Sequence, residues 1–254
     1  MGDAVLHLVK VPLRAEKLVR VSRRRGIPLR DLDDGYLAHC VLREVWQERA
    51  PAPFVLRGRG RCIDAWGYSR ADACSLIDHA RHFADPALLS VIDDVDGISS
   101  RPMPTFEKGR RVGFHLRACP VVRLSSGRRG HRAGAEIDAF LARCLQVGPS
   151  VVVSREDVYR QWLAERLRDA TQSGVTAERI SIAAFSREHL TRRTGGETRE
   201  ARRLERPDVR FEGDLVVDDG ARFLARIEKG IGRHRAFGFG AIVVVPAGSP
   251  YPHT

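Results

Sequence analysis

The segment Gly230-Ile231-Gly232-Arg233-His234-Arg235-Ala236-Phe237-Gly238-Phe239-Gly240, running directly into Ala241-Ile242-Val243-Val244-Val245, narrows the possible folds more than any other stretch. It follows a helix-like run over 221–229 and opens a strand-like apolar run. A dinucleotide-binding loop has the opposite polarity, following a strand and opening a helix, so that fold is excluded. A triphosphate-binding loop ends in Gly-Lys-Ser/Thr, which this sequence lacks. What remains is a helix-to-strand connection in which Gly230, Gly232, Gly238 and Gly240 free the backbone to approach a large anion, with Arg233, His234 and Arg235 held between them. Such a loop favours a phosphate backbone as ligand; the plainer reading is a glycine-rich turn before a strand.

The order of elements is legible along the rest of the chain. Residues 4–9 read as a first strand. Asp33 or Asp34 can cap a helix running to about Gln47, in which Leu37, Val41 and Val45 form the buried face while Tyr36, His39 and Arg43 project together beside it. Strands at 54–57 and 62–67 flank Gly58-Arg59-Gly60-Arg61. Ser69 caps a helix through about Phe83, and a strand near 111–116 closes the unit. Strand, helix, strand, strand, helix, strand is the ferredoxin-like pattern. The second half repeats it loosely, with strands at 121–124, 180–185 and 208–217, helices at 157–170 and 221–229, and the final apolar run. The expected class is α+β: two tandem ferredoxin-like (RRM-like) domains, 1–116 and 117–254.

Two inserts interrupt the second unit. Residues 125–135 carry Arg128 and Arg129 with His131 and Arg132. Residues 186–206 hold seven arginines, Arg192, Arg193, Arg202 and Arg203 among them, with four glutamates and Gly195-Gly196 between. The second insert reads as a mobile arm or helical finger that orders on RNA, or as an exposed linker laced with ion pairs.

Charge points the same way. The 254 residues carry 43 Lys+Arg against 32 Asp+Glu, a net +11, and only four of the basic residues are lysine. Arginine pairs bidentately with phosphate and stacks on bases, which suits an RNA partner, although a GC-rich genome also enriches arginine. Residues 10–30 hold eight basic side chains, including Arg23, Arg24 and Arg25, against the single acid Glu16. The five cysteines form no Cys-x-x-Cys pair, and no His-Glu-x-x-His occurs, so no metal or cofactor is expected. No apolar run approaches the ~18 residues of a membrane span, and no secretory signal opens the chain, so a cytoplasmic protein is expected.

Three stretches resemble one family. Phe211-Glu212-Gly213-Asp214-Leu215-Val216-Val217 with Phe223 and the glycine-rich loop is similar to the carboxyl end of the CRISPR repeat-processing endoribonucleases, in particular their CasE branch. Gly113-Phe114-His115-Leu116-Arg117-Ala118-Cys119-Pro120-Val121-Val122-Arg123 resembles that branch's strand entering its second domain. Leu6-His7-Leu8-Val9-Lys10, then Asp34-Gly35-Tyr36-Leu37-Ala38-His39, resembles its first strand and first helix with a Tyr-x-x-His pair. Segments 70–105 and 125–205 match least, which marks a divergent relative, with the processing nuclease of a type IV system as one reading.

The resemblance implies an endoribonuclease that binds the repeat hairpin of precursor crRNA. It would cleave without metal by 2'-hydroxyl attack and stay within a Cascade-like effector complex with other Cas subunits. His39 matches the family histidine as general acid or base, and Tyr36 its tyrosine partner. Arg23, with Arg24, Arg233 and Arg235, is a candidate for charge on the transition state. His234 is a rival acid within the loop, and an arginine-dominated site is the other arrangement. The alternative is a noncatalytic RNA-binding subunit of the same superfamily; a basic protein that prefers duplex DNA is the remote one.

Overall fold

The computed structural model describes residues 5–24, 33–58, 60–127, 130–168, 170–193 and 201–252. The first unit runs β1 (His7–Arg14), α1 (Ala15–Arg24), α2 (Asp34–Trp46), β2 (Phe54–Arg57), β3 (Cys62–Ser69), α3 (Ala73–Phe83), α4 (Pro86–Leu89) and β4 (Ser99–Pro102). Its antiparallel sheet has the order β2-β3-β1-β4, the ferredoxin-like arrangement. Alternation along β1 turns Val9, Val11 and Leu13 to the helices, where they pack with Leu18 and Val21 of α1, Leu37, Val41 and Val45 of α2, and Leu76 and Ala80 of α3. Each fully buried valine or leucine contributes roughly 1.5–3 kcal/mol, so this face holds α2 firmly.

The second unit runs β5 (Arg111–Ala118), β6 (Val121–Arg123), β7 (Glu136–Asp138), α5 (Ala139–Val147), α6 (Arg155–Arg168), α7 (Ala170–Ser173), β8 (Val175–Arg193), β9 (Ala201–Val217), α8 (Gly220–Lys229) and β10 (Ile242–Val245). Its sheet order, β10-β5-β9-β8, repeats the first topology once the β6-β7 hairpin is set aside. Val112, Phe114 and Leu116 of β5 and Val209, Phe211 and Leu215 of β9 bury against Trp162, Leu163 and Leu167 of α6 and Phe223 and Ile227 of α8.

Several expected elements change place. The strand over 111–116 does not close the first sheet; it is β5, paired along β9 and β10, and a division between 116 and 117 would cut through it. The closing strand is the short, polar β4, whose Ser-Ser-Arg-Pro sequence lacks an apolar alternation. Residues 121–124 lie in the side hairpin β6-β7 and not in the central sheet. The α3 cap is Asp72, which accepts from Ser75 N, while the Ser69 hydroxyl donates to the Arg49 carbonyl. Part of the basic 10–30 stretch is the helix α1, with Leu18 and Val21 buried and Arg20 and Arg23 exposed.

The arginine-rich insert is not helical where it is described. It continues β8 and β9 as one long antiparallel hairpin in unbroken register from Ser186↔Asp208 to Arg193↔Ala201. Extending a ladder that β8 and β9 have already begun avoids the unfavourable nucleation that a lone polar helix would need. Arg187 and Glu205 form a cross-strand ion pair at 3.3 Å.

The two units share a core. Leu6 and Tyr68 of the first join the cluster of the second, the Tyr68 hydroxyl donates to the Ile242 carbonyl (2.5 Å), and Arg70 grips Glu228 through two hydrogen bonds of 2.7 and 2.6 Å. No helix among the described residues is long and apolar enough to cross a membrane.

Candidate functional site

Helix α2 carries Tyr36 to the seam between the units, with His39 farther along the same helix. Asp33 adopts an extended conformation and caps the helix, its carboxylate accepting from the Tyr36 N–H at 2.8 Å. With Leu37, Ala38 and Val41 buried below, Tyr36 and His39 are left half-buried at the surface of the helix. Arg43 turns away toward the helix end, donating to the Gln47 carbonyl and pairing with Glu48 at 2.7 Å.

The glycine-rich loop packs directly on the first turn of α2. A Cβ at Gly35 would collide with the Phe237 carbonyl, so only glycine lets the helix lie this close. A glycine inside a helix costs about 1 kcal/mol relative to alanine, and this contact is the reason for it. The Tyr36 ring stacks on Phe237 at a centroid distance of 5.4 Å, and His234 meets the same phenylalanine edge-on at 6.0 Å. Tyr36, Phe237 and His234 thus form a continuous row from one unit into the other.

The loop closes on itself through Ile231 N–H to the Gly240 carbonyl (2.9 Å) and is tied to β5 by Gly240 N–H to the Arg117 carbonyl (2.7 Å). Gly230, Gly232, Gly238 and Gly240 all have positive φ. The space a side chain would need at Gly232 is bounded by Trp162 (3.1 Å), and at Gly240 by the Ile231 carbonyl (2.5 Å), so the fold demands these glycines whatever the loop binds.

His234 is the exception, a non-glycine held in the left-handed region at φ 62. Its Nε2 lies 2.6 Å from Glu136 of β7, whose carboxylate also takes Arg233 at 3.0 Å and Arg206 at 3.4 Å. The His234 hydrogen bond, with the surrounding cations, holds the Glu136 carboxyl down at about 2. Arg235 donates to the Lys229 carbonyl and stays exposed.

Glu136 went unforeseen in the sequence, where it is an unremarkable acid at the end of an arginine-rich insert. Of the other candidates, Arg23 is exposed at the end of α1, which packs against α2. Of Arg24 the structure describes only the backbone, and Arg25, Arg128 and Arg129 lie outside the described residues. Arg192 stands directly across from Arg202, with Arg193 opposite Ala201 and Arg203 opposite Thr191. Of these four arginines the structure describes only the backbone positions on the two strands.

A cleft of about 480 Å³ opens beside the α2 cap, lined by Asp33 and Asp34, Arg57 of β2, Arg117 of β5, Glu188 and His189 of β8, Arg210 of β9 and Tyr251 of the tail. Arg117 is held by Asp208 through hydrogen bonds of 2.9 to 3.1 Å and lies over the Phe239 ring at 4.3 Å. Burial raises the Asp33 carboxyl to about 6 against the opposing pull of its Tyr36 hydrogen bond and of Arg117.

With a tyrosine and histidine on one helix turn and cations on the loop against it, the arrangement can move protons at a phosphodiester and offset charge that develops there. The CRISPR-associated endoribonuclease Cse3 of Thermus thermophilus is 27% identical over 146 residues, 56% of this chain and 59% of the relative, so the alignment spans little more than half of that protein. The solved structure of CRISPR endoribonuclease Cse3 bound to a 19 nt RNA has a TM-score of 0.60 at 24% identity, covering 95% of this chain and 100% of the other. A chain of a CRISPR RNA-guided surveillance complex, pre-nicking, has a TM-score of 0.56 at 18% identity, covering 95% and 99%. Both structures share the tandem ferredoxin-like fold described above. The family described as CRISPR associated protein matches residues 6–246, nearly the whole described chain, and this protein therefore belongs to it.

Proposed function

We propose that this protein is a CRISPR repeat-processing endoribonuclease of the CasE-like branch, which binds the hairpin of precursor crRNA and cuts it without a metal ion. The observation that carries this reading is the docking of the α2 first turn against the arginine- and histidine-bearing loop 230–240, where Gly35 and Tyr36 meet Phe237, with His39 half-buried farther along the same helix. Internal attack needs a base to take the 2'-hydroxyl proton, an acid to protonate the leaving 5'-oxygen, and cations for the phosphorane-like transition state. His39 fills an acid or base role, Tyr36 orients it or shares its proton, and Arg23 with the loop arginines supplies charge. The similarity to Cse3, itself described as an endoribonuclease, supports the reaction class. Likeness to a chain of a surveillance complex supports a place beside other Cas subunits.

The test is incubation of purified protein with the repeat RNA of its own genome in excess EDTA. The expected products are a 2',3'-cyclic phosphate and a 5'-hydroxyl. A strict magnesium requirement overturns the mechanism, and tight hairpin binding without any cut replaces it with the noncatalytic RNA-binding subunit.

A further inference from the structure

We propose that Asp33 is a positioning residue for the reaction: its carboxylate, seated in the cleft between the units, fixes the first turn of α2 and so holds Tyr36 against Phe237 of the loop 230–240. This rests on the proposed nuclease reading and adds to it a residue outside the Tyr36 and His39 pair. The geometry is specific. Asp33 accepts from the Tyr36 N–H, and the same carboxylate oxygen lies 3.1 Å from where a Gly35 Cβ would stand, so cap, glycine contact and aromatic stack belong to one turn of helix.

The cap faces a crowded set of charges. Arg117 of β5 approaches from below, already committed to Asp208; Glu188 and His189 come from β8, Arg57 from β2, Arg210 from β9 and Tyr251 from the tail, with Asp34 on its own helix. Burial outweighs the cationic help, and the carboxyl is raised to about 6. Acidification through that range converts the acceptor at the Tyr36 N–H into a neutral acid that binds it more weakly. The first turn then loosens while the rest of α2 stays packed. Asparagine is as good a cap as aspartate and carries no titrating proton, so it separates the hydrogen bond from the charge.

The experiment compares wild type, Asp33→Ala and Asp33→Asn, using the cognate repeat hairpin for cleavage and the backbone amide of Tyr36 in an NMR titration. At about pH 7.5, Asp33→Ala should lose ~10-fold in kcat with little change in KM, while Asp33→Asn stays within ~3-fold of wild type. Between about pH 7.5 and 5.5, the Tyr36 amide should shift with a midpoint near 6 in wild type and show no such step in Asp33→Asn. The variant should also keep about 3-fold more of its activity at the acid end than wild type keeps. An Asp33→Ala protein that cleaves like wild type, or an amide step that persists in Asp33→Asn, overturns the role of Asp33. Wild type that cuts no repeat RNA sinks the proposed reaction, a result distinct from either.

Discussion

Glu136 shows how one carboxylate can organise a basic site. It sits among Arg206, Arg233 and His234, and it is only 15% exposed. The two arginines gathered without an acid would repel one another; the carboxylate ties them and His234 into a fixed frame and secures the left-handed turn at His234. Because the folded carboxyl lies near 2, below its ordinary 4.5, it stabilises the fold at pH values above that ordinary value. That contribution is lost as pH falls from 4.5 toward 2. We expect Glu136→Gln to lower stability by about 2 kcal/mol at neutral pH and by much less near pH 3, measured by urea unfolding at both. An equal gap at the two pH values would show that the acid's charge is irrelevant. At the helix beside it, His39→Ala should slow cleavage by about 100-fold with hairpin affinity nearly intact, the signature of a proton-transfer group. If that variant cuts normally while Arg23→Ala or His234→Ala does not, the acid-base work belongs to the basic residues instead.

Among the elements, the long β8-β9 hairpin has the clearest consequence for RNA. Its outer end carries Arg192, Arg193, Arg202 and Arg203 on facing strands. An A-form stem hides its base edges in a deep, narrow groove, so such an element adds phosphate contacts and little sequence choice. Replacing these four arginines with alanine should weaken binding to the repeat hairpin and flatten the slope of log affinity against log salt. Stem mutants that preserve pairing should lose affinity for the variant in the same proportion. A quadruple variant with wild-type affinity and slope would move the stem contact elsewhere, with the basic 10–30 stretch next to test. The hairpin was readable in the sequence as an arginine-rich insert but not as strands. Glutamates interleaved with arginines suit a helix face as well as a ladder, and only its continuity with β8 and β9 decides between them.

For the whole molecule, the seam between the two sheets is as much a core as either unit. Tyr68 and Leu6 of the first unit lie in the apolar cluster of the second, and the buried Tyr68 hydroxyl is spent on the Ile242 carbonyl. The protein should therefore unfold in one cooperative transition, seen as coincident loss of circular dichroism and tryptophan fluorescence. Two resolved transitions would mean that the units fold separately. Tyr68→Phe leaves that carbonyl without its donor and should cost about 1–2 kcal/mol.

Local patterns determined much of this. The spacing of Leu37, Val41 and Val45 defines the buried side of α2 and so the outward side bearing Tyr36 and His39, because helix periodicity is a property of neighbouring residues. The glycine and apolar pattern at the end of the chain likewise marks a loop entering a strand. Only the tertiary structure decided the rest. Glu136 meets His234 across a separation of 98 residues, and Gly35 meets Phe237 across the seam between two units. Asp33 becomes a perturbed acid because strands from both sheets bury it. Nothing local encodes such contacts, since desolvation and ion pairing depend on which distant surfaces the packed cores bring together.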